Sequence, residues 1–87
     1  MFDVTPAARE RLSEKLVSKK AAEDQALRFT RKPRGWKLCL DRLRPADTAI
    51  IHQDRVVLLL DEVATQAMSR ITLDVRNTGA GPRLTLR

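Results

Sequence analysis

The sequence is poor in cysteine, with Cys39 as its single thiol. One cysteine cannot close an internal disulfide, and it cannot supply the thiolates of a structural zinc site or of a complete iron–sulfur cage. Motifs that carry chemistry are also missing, because no glycine-rich phosphate loop precedes a predicted helix and no nucleophilic serine elbow is present. We therefore predict no resident metal, no cofactor and no enzymatic activity.

Long apolar runs are absent as well. The longest, Val56 to Leu60, is far shorter than the roughly 20 residues that span a bilayer. The opening residues, Met1 to Val4, lack the basic and then apolar order of a secretion signal. We expect a cytoplasmic protein that does not interact with membranes.

Aromatic side chains make up only 3% of the sequence, which leaves little surface on which unpaired bases could stack. Aliphatic residues are plentiful, since 43% of the chain is hydrophobic and 32% is charged, a balance typical of globular proteins. At 87 residues the chain has room for one small domain, and we predict a single domain over residues 1–87.

Positive charge is concentrated in one segment. The net charge is +6, and residues 28–44 hold seven cations against the single carboxylate of Asp41. Such a segment attracts phosphates or acidic protein surfaces over roughly 8 Å at physiological salt. The plainer interpretation is a solvated face that keeps the protein soluble.

The first half of the chain predicts one helix followed by strands. Thr5 can cap a helix that has Pro6 at its first position, and an apolar stripe at four-residue spacing carries it to about Lys20. From residue 26 the apolar residues alternate, which indicates strands around Phe29 and Leu38 separated by Pro33 and Gly35.

The second half predicts a hairpin, a short helix and two further strands. Residues 48–52 and 55–60 should pair around Gln53-Asp54, and the continuous run Val56 to Leu60 indicates a strand covered on both faces. Asp61 can cap a helix to about Ser69. Strands from Ile71 to Val75 and around Leu84 to Leu86 should follow, joined by a glycine-rich turn at 77–82.

This order and several residues resemble the HesB/IscA-like family, the A-type iron–sulfur carriers. The resemblance rests on Val4-Thr5-Pro6-Ala7-Ala8 before the helix, on Ala26 to Phe29, and on Asp47 to Val75, which includes Ile71-Thr72-Leu73-Asp74-Val75. It implies a β-rich α+β fold, a compact mixed-sheet sandwich with an N-terminal helix and one short internal helix.

The departures from the family pattern concern its three cysteine ligands. The family places one in a glycine-rich loop, where this sequence has Arg31-Lys32-Pro33-Arg34-Gly35-Trp36, and two in a Cys-Gly-Cys tail, where this sequence has only Leu84 to Arg87. Cys39 lies beyond the loop position, so the ligand role is not transferred to it. The resemblance therefore implies the fold of a cluster carrier without its cluster ligands.

Two functional hypotheses remain. The first is a noncatalytic interaction or structural module whose basic segment meets an acidic protein surface, and the second is a basic nucleic-acid-binding domain that contacts phosphates through residues 28–44. Trp36 can either belong to the core or stack on a base. A homodimer could form through the edge of the last strand. The candidate partner-binding residues are Arg31, Lys32, Arg34, Trp36 and Lys37.

Overall fold

A computed structural model describes residues 2–87 and contains two helices and seven strands in that range. The elements, in chain order, are β1 (Asp3–Val4), α1 (Pro6–Ser18), β2 (Gln25–Lys32), β3 (Gly35–Arg42), β4 (Thr48–His52), β5 (Arg55–Leu60), α2 (Glu62–Ala67), β6 (Thr72–Thr78) and β7 (Gly81–Leu86). They form a three-stranded sheet in the order β1-β6-β7 and a four-stranded sheet in the order β3-β2-β5-β4. The predicted α+β class with mixed sheets is confirmed.

Helix α1 begins where the sequence predicts it. The hydroxyl oxygen of Thr5 accepts the N–H of Ala8 at 3.1 Å, and Pro6 occupies the first turn, where no backbone donor is needed. Ala8, Leu12 and Leu16 are fully buried, and the helix packs on strands of both sheets. The apolar stripe of α1 therefore joins the two sheets into one core.

The helix ends at Ser18, two residues earlier than expected. Lys20 adopts a left-handed conformation with φ 54°, and the N–H groups of Lys20 and Ala21 donate to the carbonyls of Val17 and Leu16. This pair of bonds is the Schellman motif that closes many helices.

The four-stranded sheet contains the most buried strand. Strand β5 pairs in parallel with β2 and antiparallel with β4, and Val57 to Leu60 are buried on both of its faces. The inner position that the apolar run predicts is confirmed. The connection to β4 is the two-residue turn Gln53-Asp54, in which both residues have positive φ, as a tight hairpin requires.

The three-stranded sheet contains one strand that the pattern did not reveal. Residues 3–4 form β1, which pairs in parallel with Thr72 and Leu73 of β6. A two-residue strand shows no periodicity, so only its tertiary partner defines it. Strands β6 and β7 form a hairpin whose turn is shorter than expected, with pairing that continues to Thr78 and Gly81.

Strand β3 is an edge strand of the four-stranded sheet, and β7 is an edge strand of the three-stranded sheet. Each has a strand partner on one side only within the described residues. Trp36, Leu38 and Leu40 of β3 and Leu84 of β7 are half-buried against the core. None of the helices in residues 2–87 is long and apolar enough to cross a membrane.

Candidate interaction surface

Three cations of the basic segment are neutralised in the fold, and Arg28 is the most buried of them. Only 5% of Arg28 is exposed, and its guanidinium donates to both oxygens of Asp47, at 2.8 Å for the Nη1–Oδ1 pair, and to Asp41 at 2.7 Å. A further bond runs to the Arg42 carbonyl at 3.1 Å. Carboxylates from outside the segment add to Asp41: Asp47, which pairs with Arg28, lies 19 positions from it in the sequence and beyond the segment's end.

The carboxylates of this cluster are held in their charged form. The hydrogen bond from Arg28 lowers the pKa of Asp47, and the backbone N–H of Arg42 followed by Arg28 lowers the pKa of Asp41, although burial opposes both shifts. The same contacts raise the pKa of Arg28, mainly through Asp47. Arg44 pairs with Asp41 at 2.8 Å, and Arg42 pairs with Asp24 at 2.6 Å on the surface.

The remaining cations lie at the tip of the β2–β3 hairpin. We call them, with Trp36, the hairpin patch, which comprises Arg31, Lys32, Arg34, Trp36 and Lys37. The four cationic side chains are exposed and make no salt bridge with any residue from 2 to 87. The turn at Pro33-Arg34 closes through Gly35, whose φ of 127° is disfavoured for residues with a side chain.

Strand register divides the hairpin patch between two faces. Arg31 is paired with Trp36, so the two side chains share one face, whereas Lys37 is paired with Thr30 on the other. The ring of Trp36 meets Phe29 edge to face, with centroids 6.1 Å apart and planes at 76°. Trp36 is therefore partly core and partly surface. The structure brings all five predicted residues to one hairpin end, on both of its sides.

A second basic feature, which the sequence analysis missed, lies beside the hairpin. We call it the basic groove: a depression of about 680 Å³ between α1, β3 and β7. The lining includes four cations, Arg11, Lys15, Lys19 and Arg83, and a set of apolar side chains that includes Trp36, Leu38, Leu84 and Leu86. The four-residue spacing of the three helix cations is the signal that could have revealed one wall of the groove.

The single thiol of the chain, Cys39, is exposed on β3. Its Sγ lies 2.9 Å from the hydroxyl of Thr30, and no histidine, carboxylate or second thiol joins it in a group that could hold a metal between residues 2 and 87. Iron–sulfur clusters are held by several thiolates, and the chain has one. The residues present do not fit a cluster.

Comparisons with known proteins show the same fold. No family model matches the sequence, and no curated protein matches it. The structure is similar to IscA with a [2Fe-2S] cluster (18% identity, 100% of this chain and 81% of that chain, TM-score 0.60) and to Escherichia coli SufA, which is involved in biosynthesis of iron–sulfur clusters (18%, 99% and 83%, TM-score 0.62). It is also similar to an Aquifex aeolicus protein solved by NMR (21%, 99% and 89%, TM-score 0.65). The resemblance in the sequence is thus confirmed at the level of fold: the architecture is that of IscA and SufA.

Proposed function

We propose that this chain is a noncatalytic, cytoplasmic protein of the HesB/IscA-like fold that has lost its cluster ligands and acts as an interaction module. Its partner in this proposal is an acidic protein surface that meets the hairpin patch. The similarity to IscA and SufA supports a place beside iron–sulfur biogenesis. The single cysteine argues against a role as cluster carrier.

The observation that carries the proposal is the selective neutralisation of the basic segment. Arg28, Arg42 and Arg44 are paired with carboxylates, whereas the four cations of the hairpin patch extend into solvent without a salt bridge to residues 2–87. Exposed charges of one sign at a hairpin end accelerate the encounter with an oppositely charged partner and orient it. An acidic surface would supply the carboxylates that the fold itself does not bring to this patch.

Nucleic acid is the second candidate, and the exposed part of Trp36 beside three cations favours it. Against it, the ring of Trp36 already packs on Phe29, and the aromatic fraction of 3% offers few other stacking positions. Phosphate contacts alone would support nonspecific binding with a steep dependence on salt.

Two probes at several salt concentrations distinguish these candidates: polyglutamate and a labelled DNA duplex. The test variant carries Lys32→Gln, Arg34→Gln and Lys37→Gln. The control variant carries Lys20→Gln, Arg70→Gln and Arg76→Gln, which removes three exposed cations elsewhere. We expect polyglutamate affinity to fall about tenfold in the test variant, since each exposed ion pair contributes about 0.2 to 1 kcal/mol.

The control variant should retain most of its affinity for polyglutamate. Equal losses in both variants would mean that net charge, and not the hairpin patch, drives binding, and would refute the proposal. Tighter binding of the duplex than of polyglutamate, lost only in the test variant, would establish the nucleic-acid alternative instead.

A further inference from the structure

The basic groove has one wall of regularly spaced positive charge. Arg11 and Lys15 lie on α1, and Lys19 is the C-cap residue directly after it, so the three cations follow one another at four-residue intervals with backbone positions about 6 Å apart along the helix axis. Lys15 and Lys19 make no salt bridge within residues 2–87, and Arg11 contacts Glu14 at 3.6 Å. The Nε of Arg11 is buried and has no hydrogen-bond partner in that range. This wall is therefore a row of cations that the fold leaves largely uncompensated.

The facing walls are largely apolar and belong to two sheet edges, although Arg83 of β7 adds a cation. Trp36 and Leu38 come from β3, and Leu84 and Leu86 come from β7. No carboxylate from residues 2–87 lines the groove. Because β3 and β7 each end a sheet, their outer backbone groups lack a strand partner among the described residues. Such edges accept an added extended segment through main-chain hydrogen bonds.

We infer that the basic groove binds an extended segment of the acidic partner in which Asp or Glu residues alternate with apolar residues. This inference rests on the proposed function and adds the form of the partner. In an extended segment, alternate side chains lie about 6.6 to 6.8 Å apart on the same side, close to the 6 Å spacing of the helix cations. Carboxylates would then face Lys15 and Lys19, while the intervening side chains face Trp36 and Leu38.

A second copy of this chain does not meet that description. No two acidic residues in the sequence are two positions apart, and the net charge of +6 makes two copies repel each other. A single-stranded nucleic acid matches the charge spacing but not the apolar walls, which are aliphatic apart from Phe29 and Trp36. A peptide segment of another protein fits both walls.

The test uses two labelled peptides of equal composition: three Leu-Glu repeats, and three leucines followed by three glutamates. Binding is followed by fluorescence anisotropy and by the emission of Trp36, the only tryptophan of the chain. We expect the alternating peptide to bind about tenfold more tightly. It presents three glutamates on one side and three leucines on the other, whereas the blocked peptide presents two glutamates on one side and turns its middle glutamate toward the apolar walls. Its binding should also shift the emission of Trp36.

A charge exchange locates the site. The combination Lys15→Glu with Lys19→Glu should weaken binding of the alternating Leu-Glu peptide about tenfold and should create binding of a Leu-Lys peptide of the same pattern. The matched control, Lys20→Glu with Arg70→Glu, alters the same net charge outside the groove and should change neither affinity. Circular dichroism of both variants confirms that the fold is retained.

Equal affinity for the alternating and the blocked peptide would overturn the inference, as would equal losses in the groove and control variants. Tighter binding of an oligothymidylate than of either peptide would also overturn it. If any of these results appears while neutralisation of the hairpin patch still weakens polyglutamate binding about tenfold, the groove inference fails and the proposed function stands. If both sets of variants bind as the unaltered chain does, both fail.

Discussion

The buried ion pair between Arg28 and Asp47 allows a quantitative test of the fold. Asp47→Ala removes both oxygens that accept hydrogen bonds from the Arg28 guanidinium. It also removes the oxygen that accepts the backbone N–H of Arg44 at 2.8 Å. The side chains are closed to solvent, with 7% of Arg28 and 2% of Asp47 exposed. Solvent therefore screens this pair far less than a surface pair.

The expected cost follows from this burial. Removal of one partner from a buried pair destabilises by about 3 to 5 kcal/mol, because a charge is left without compensation. Arg28 retains its bonds to Asp41 and to the Arg42 carbonyl, which places the loss near the lower limit, at about 3 kcal/mol. For a domain of this size, that corresponds to a fall in Tm of more than about 10 °C.

Urea denaturation followed by circular dichroism measures this loss, with Asp24→Ala as the matched control. Asp24 pairs with Arg42 at 2.6 Å, but the two side chains are 64% and 62% exposed, so we expect a much smaller loss than for Asp47→Ala. The double variant Arg28→Met with Asp47→Ala should recover part of the stability, since the buried guanidinium is then gone and Asp41 keeps its surface partner Arg44. Equal losses for Asp47→Ala and Asp24→Ala would refute the reasoning from burial.

Three further predictions concern acid stability, the helix cap and a turn. The pKa of folded Asp47 lies below its ordinary 3.8. The stabilisation by its carboxylate is therefore complete at pH values above 3.8 and is lost as the pH falls through the folded pKa. Asp47→Ala should make the free energy of unfolding depend less steeply on pH below about pH 4, and an unchanged slope would contradict this assignment. Thr5→Val should cost roughly 2 kcal/mol in urea denaturation, because the cap is lost together with a 2.9 Å bond to Asp74. A loss under about 0.5 kcal/mol would show that the cap is dispensable. Gly35→Ala should lower the free energy of unfolding by about 1 kcal/mol or more because of its positive φ, whereas Gly79→Ala, with equally open surroundings, should not destabilise. Equal changes in Tm for the two variants would rule out strain at Gly35.

The candidate site was only partly predictable. The hairpin tip was accessible to sequence reasoning because its cations adjoin Pro33 and Gly35, which mark a turn. The basic groove was not, since its walls come from α1, β3 and β7 and no local pattern connects them. Equally, strand β1 has no signature of its own and exists through its pairing with β6.

Local sequence is enough to explain the cap at Thr5, the covered strand at Val56 to Leu60 and the lack of thiolates for a cluster. Which cations pair with carboxylates and which stay exposed depends on the three-dimensional arrangement of the chain. Charges interact through distance in space, so Arg28 is neutralised by the remote Asp47 while its sequence neighbour Arg31 stays exposed. The proposed partner surface is what remains after that pairing.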